Sequence, residues 1–352
     1  MKLYLHVGTE KTGSSHIQTL CVHGRQLLES AAIWFPEGIP RHEKRMREGL
    51  VSAGNGFSIS QRACHGDHDG VLAELIRHRE AAETRSCAAV FLSSELLLPY
   101  CAAKDGWQRL FEKSRKAGFD SVSMLVILRD PEDQLVSLYK HRARSGTTGR
   151  LDTWVREGYH LAEDLASLRE QANAEKVELI ARGYTRQPGG LESIFFDNWL
   201  NAPSPPPATE SEVNPSLALS ELELLRRMTA RRPEVVPFLR ERLSAVPRTH
   251  KVQGRALEAY ARAMAKQAAW QHREEWQRWN EILPEGERLN IPERAPEIPE
   301  YPEELGFSGR QLDALAAFMA ETATLRFWAR VVWRARIRPR LGRVARVVGV
   351  QK

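Results

Sequence analysis

A chain of 352 residues, 42% hydrophobic and 8% aromatic, carries enough apolar side chain for a packed core, which excludes a disordered protein. The net charge of +6 is local: nine positive charges and no acidic residue follow Glu321, so the chain up to that point carries −3. That division excludes a globally basic nucleic-acid-binding surface, and no nucleic-acid partner is expected.

The pattern predicts strands at Lys2–Val7, Ala32–Phe35, Cys87–Ser93, Ser121–Leu128 and Val177–Tyr184. Helical spacing falls between them, over Ser15–Ser30, Val71–Arg85, Gly106–Ala117, Glu132–Ser145, Trp154–Glu175 and Gly190–Leu200. Alternation of this kind predicts an α/β fold with a central parallel sheet flanked by helices. Arg41–Gly70, polar and glycine-rich, reads as an inserted loop region with little core. The proline-dense stretch Ala202–Ala208 reads as a stiff surface connection. Helical stretches follow at Leu219–Thr229, Val252–Ile282 and from about Ser308. The expected organisation is an α/β core over 1–200, a mainly helical part over 201–325 packed on the same domain, and a basic amphipathic tail over 326–352.

Four scattered cysteines (Cys21, Cys64, Cys87, Cys101) form no C-x-x-C pair and read as reduced thiols of a cytoplasmic protein. No segment reaches the ~20 apolar residues of a membrane span. The N-terminal apolar run alternates like a strand rather than a secretion signal.

Function concentrates at the start. Leu3, Leu5 and Val7 run into Gly8-Thr-Glu-Lys11-Thr-Gly13-Ser14-Ser15, and an amphipathic helix follows. Strand, glycine-bounded loop and helix make an anion cradle, because backbone N–H groups and the helix N-terminus face one point. A nucleotide triphosphatase loop places lysine directly after its second glycine. Here Ser14 holds that place and the lysine lies within the loop, which argues against ATP.

A second motif is Met124-Leu-Val-Ile-Leu-Arg129-Asp130-Pro131, where a buried strand ends in Arg129. Asp130 suits a helix N-cap and Pro131 the first helical position. Ligands of open parallel sheets bind at this edge, and a guanidinium can grip a phosphate through two N–H bonds. Taken alone, Arg129 reads first as a surface arginine paired with a nearby carboxylate.

Together the two segments resemble the sulfotransferases that use 3′-phosphoadenosine 5′-phosphosulfate (PAPS), and His6–Ser15 looks especially like bacterial members acting on carbohydrates. That family has a loop of P-K-[ST]-G-[ST]-[ST] type for the 5′-phosphosulfate and a strand-ending arginine, with a serine eight residues later, for the 3′-phosphate. Here these stand as Glu10-Lys11-Thr12-Gly13-Ser14-Ser15 and as Arg129 with Ser137. Glu10 replaces the proline of other branches, and Thr185 follows Tyr184 where an acidic residue is common. The resemblance is specific over 1–30 and 88–145, looser over 177–225, and does not extend to the C-terminal third.

The resemblance implies a three-layer P-loop fold with Thr9, Lys11, Thr12, Gly13, Ser14, Ser15, Arg129, Ser137 and Tyr184 holding the donor. It implies Lys11 as the catalytic cation, PAP as product and no metal. The acceptor would be a hydroxyl of a glycan, glycolipid or polysaccharide. Glu95, just past the third strand, is the expected general base; it also reads as an acidic start to a helix, and the two roles are compatible. The rivals are a P-loop small-molecule kinase and a non-catalytic nucleotide- or membrane-binding protein.

Weaker signals remain. Cys64-His65-Gly-Asp67-His68-Asp69 lacks a recognised ligand spacing and reads as a polar loop rather than a zinc site. Trp270, Trp276 and Trp279 read as helix packing on the sheet ahead of a sugar platform. Val213–Leu217 resembles an Asn-x-Ser element found in related sulfotransferases, and a role near the nucleotide is the reading assigned to it. Three readings stay open for the tail: peripheral contact with the anionic inner face of a membrane, packing on the core followed by disorder, and an acidic polymer partner.

Overall fold

The computed structural model describes residues 1–102, 105–205, 217–252 and 254–332. The Asn-x-Ser element and the tail from residue 333 lie outside the described residues; the start of the tail forms helix Leu325–Val332, whose Phe327 is buried against Phe238 and Phe318.

Five strands form one parallel sheet: β1 Lys2–Val7, β2 Ile33–Trp34, β3 Ala89–Ser94, β4 Ser121–Leu128 and β5 Glu178–Gly183. Their order is β2-β3-β1-β4-β5, with β1 at the centre. From β1 the chain goes to the edge strand β2, returns to β3 beside β1, and crosses at β4 to the other side. The C-terminal end of β1 is therefore a topological switch point, where the loops leaving β1 and β4 open a crevice.

Both faces of β1 are covered, so its residues split by parity. Leu3 and Leu5 pair in register with Val90 and Leu92 on β3 and with Val122 and Met124 on β4. Helices His68–Thr84 and Gly106–Lys116 pack against β3 and β4. On the opposite face Tyr4, Phe91, Leu125 and Ile127 meet Ile17 and Leu20 of helix Ser14–His23 and the aromatic run Phe195, Phe196 and Trp199. Trp199 stands edge-on to both Tyr4 and Phe91 and donates its indole N–H to Ser123 Oγ at 3.0 Å. Losing such a buried indole costs about 3–5 kcal/mol.

The chain divides into two compact units along lines other than the sequence boundary at 200. The sheet unit holds 1–134, 159–213 and 268–295; the second holds 135–158, 214–267 and 296–352. Trp276 and Trp279, nearly inaccessible, belong to the sheet unit, where helix Arg273–Ile282 packs on β5. Arg169 fixes that helix by a double hydrogen bond to Glu275. The second unit is helical. At its centre Lys251 and Glu221, both buried, pair at 3.1 Å, and Gln311 donates to the other Glu221 oxygen at 2.9 Å.

Arg41–Gly70 is not a loop with little core. It contains helices Pro40–Arg47 and Phe57–Cys64, and Met46 and Ile59 are fully buried. Four of its polar residues, Glu43, Ser52, Asn55 and Ser60, are buried as well: Asn55 accepts from Ser93 N at 2.7 Å and donates to the carbonyls of Pro36 and Phe91. Gly54 at φ +79° brings the chain so close that a Cβ would stand 2.0 Å from Ser93 O.

The four cysteines are unpaired. Among the described residues no helix is long and apolar enough to cross a membrane.

Candidate functional site

The loop after β1 is shaped by backbone hand. Lys11 has φ +70° and Gly13 φ +87°, while Thr12 between them does not enter the left-handed region. Alternating hands turn successive N–H groups toward one concavity, the geometry of an anion nest. For lysine the left-handed region costs roughly 1–2 kcal/mol over the right-handed one, so its neighbours must hold it there.

Those neighbours come from the second motif. Arg129 Nη1 donates to Lys11 O at 3.4 Å, and Gln134 Nε2 donates to Glu10 O at 3.1 Å. The strand-ending arginine and the first turn of helix Pro131–Arg142 thus grip two consecutive carbonyls of the loop.

Helix Ser14–His23 starts at Gly13 with no side-chain cap. Ser14 and Ser15 have no earlier helical carbonyl behind their N–H groups, so these donors face the loop. Ser14 Oγ is buried and without a hydrogen-bond partner. A buried orphan hydroxyl at this point suits an anion's oxygen.

The two threonines offer less than their sequence suggests. Thr9 spends its hydroxyl on Ile127 O at 2.7 Å and Thr12 on Thr9 O at 2.6 Å. Their hydroxyls brace the loop, and what they can give a ligand is backbone N–H.

Glu95 follows β3 on the opposite side of the loop from Arg129. It stands two residues ahead of helix Leu97–Cys101 and outside its first turn. Ser94 Oγ accepts from Leu96 N at 3.2 Å in the turn ahead of that helix, whose N-cap, Leu96, has no side-chain cap. A Cβ on Gly8 would stand 2.9 Å from Glu95 Cγ and 2.7 Å from Ser14 Oγ. Glycine at position 8 is what lets the glutamate lie against the loop. Below them burial drives the His6 imidazole down to about 3, so it is neutral; its Nδ1 lies 2.9 Å from Ser93 Oγ.

On the β4 side, beyond Arg129, lies a cleft of about 540 Å³. Arg129, Tyr184 and Arg186 form one wall, and Gly286, Glu287 and Arg288 another. Tyr184 is tied to β4 through its N–H to Leu128 O, and its ring lies 5.4 Å from the Arg129 guanidinium carbon. Glu287 receives Arg182 Nε at 2.9 Å and Gly183 N at 2.7 Å. Burial pushes the Glu287 carboxyl up, but these hydrogen bonds outweigh it and hold the group below its ordinary range. Asp130, expected as an N-cap, accepts from Asn290 N at 2.7 Å and so holds the same wall.

Lys11, Gly13, Ser14, Arg129, Tyr184 and Glu95 are therefore gathered around one sheet edge. Ser137 lies half-buried in helix Pro131–Arg142, within the second unit. Sequence reasoning missed Gln134, Asp133, Arg182 and Glu287. The first two follow Arg129 by one helical turn, a spacing that could have flagged them; the pairing of Glu287 with Arg182 spans 105 positions and leaves no local signal. Asp67, in the polar stretch after Cys64, caps helix His68–Thr84 by accepting from Gly70 N.

No family model matches the chain, and neither a curated protein nor a solved structure is significantly similar to it. The fold and the site define a parallel α/β protein with an anion nest at the switch point of its sheet and an arginine-lined cleft beside it.

Proposed function

We propose that the chain is a PAPS-dependent sulfotransferase of the P-loop type, acting on a hydroxyl of a carbohydrate, glycolipid or polysaccharide. The observation that carries this reading is the junction of the two motifs: the Arg129 guanidinium touches the loop of Lys11, so one nucleotide with phosphates at both ends could bridge nest and cleft. The orphan Ser14 hydroxyl fits an anion's oxygen, and the cleft is large enough for a purine nucleoside.

The donor, when bound, supplies the activated S–O bond. The chain's residues do the rest. The N–H groups of the nest and Ser14 hold the 5′-phosphate, and Arg129 takes the second phosphate. Lys11 meets the negative charge left on the bridging oxygen as that bond breaks, and Glu95 accepts the proton of the attacking hydroxyl. Positioning and preorganised charge carry most of the barrier in such a transfer. A lysine within the loop, with Ser14 after Gly13, favours this reading over a kinase.

Calorimetry with 3′-phosphoadenosine 5′-phosphate and with ATP tests it, together with transfer of labelled sulfate from PAPS to a panel of glycans. Tighter binding of the bisphosphate and labelled glycan are expected. Preference for ATP would replace the reading with that of a kinase.

A further inference from the structure

Asp133 occupies an unusual place in the cleft. One of its oxygens, Oδ2, lies 3.4 Å from Arg129 Nη2 and 3.6 Å from Arg186 Nη2. A single carboxylate oxygen between two guanidinium groups is the arrangement a phosphate oxygen adopts between paired arginines. The Arg129 side chain is only 13% exposed whereas that of Asp133 is 41% exposed, so the carboxylate can swing to water while the arginine stays.

We propose that Asp133 is an internal stand-in for the ligand's second phosphate, and that it limits the preference for bisphosphate over monophosphate nucleotides. This rests on Arg129 as the holder of that phosphate. A ligand with the second phosphate takes both guanidinium groups from Asp133 and then works against its negative charge. A ligand without it leaves the three-residue cluster intact. Asp133 therefore weakens bisphosphate binding while keeping the arginines occupied and oriented.

The test is calorimetry of the full chain with 3′-phosphoadenosine 5′-phosphate and with AMP, for wild type, Asp133→Asn and Arg186→Ala. Asp133→Asn should bind the bisphosphate roughly 5- to 20-fold more tightly, the span that repulsion between unit charges about 5 Å apart gives in a half-exposed site. Its AMP affinity should stay within about 2-fold. Arg186→Ala should weaken the bisphosphate by roughly 3- to 10-fold and leave AMP alone, which keeps the idea decidable should the asparagine variant misfold. Bisphosphate binding by wild type with unchanged or weaker binding by Asp133→Asn, or an equal effect of either substitution on both ligands, would overturn the stand-in and leave the sulfotransferase reading in place. No bisphosphate binding by wild type would overturn both.

Discussion

The guanidinium of Arg129 donates to the carbonyl of Lys11 at 3.4 Å, across 118 positions of sequence. The contact joins the end of β4 to the loop after β1 and makes the arginine a brace for the lysine's backbone as well as a charge in the cleft. Lysine at position 129 would keep the charge but lose the planar fork. Arg129→Lys should bind 3′-phosphoadenosine 5′-phosphate about 10-fold more weakly in calorimetry, and its thermal midpoint should fall as the brace on the Lys11 carbonyl is lost.

Lys11 sits in a backbone region that glycine enters freely. Lys11→Gly should therefore unfold at higher denaturant, by up to about 1 kcal/mol, while sulfate transfer falls at least ~100-fold. A variant both less stable and fully active would show that neither the strain nor the charge matters.

Gly54 allows the chain to pass against the end of β3, where a side chain would collide with Ser93 O. The obstacle is backbone and cannot swing aside. Gly54→Ala should lose more than about 2 kcal/mol in urea unfolding. Gly286→Ala, with open space around it, should unfold with the wild-type curve.

His6 is fully buried beside Ser93 and edge-on to Phe195 at 4.6 Å, and burial holds its pKa near 3. The unfolded chain takes up this proton near pH 6.5, well before the folded chain does. The resulting stability is complete above pH 6.5 and drains away as pH falls toward 3, at up to about 1.4 kcal/mol per pH unit. Unfolding free energies measured across that window should fall less steeply for His6→Asn than for wild type.

Much of the architecture was readable in advance because its signals are local. The limits of β1 and β4 follow from apolar runs ending at Gly8 and Arg129, and both strands have the expected bounds. The long helix read over Val252–Ile282 instead ends at Gln271 and restarts at Arg273, and the one over Trp154–Glu175 breaks between Gly158 and Leu161. Periodicity alone carries the eye across such interruptions.

Arg41–Gly70 misled for a different reason. Part of the polarity there belongs to residues such as Ser52 and Asn55 that are buried and bonded to Gln18 and to the end of β3, while charged residues such as Arg41 and Lys44 do face water. In the site the loop and Arg129 could be recognised, whereas the hydroxyls of Thr9 and Thr12 turned out to be committed within the protein. Which donors remain for a ligand depends on partners that only three dimensions supply.

The cleft wall at Gly286–Leu289 is fastened by Glu287 to Gly183 and by Asn290 to Asp130, across 104 and 160 positions. A chain emerging from the ribosome can assemble all five strands long before that wall exists. The cleft is thus a late product of synthesis. A nascent chain halted short of residue 284 would carry a finished sheet and loop, yet retain a bound nucleotide poorly.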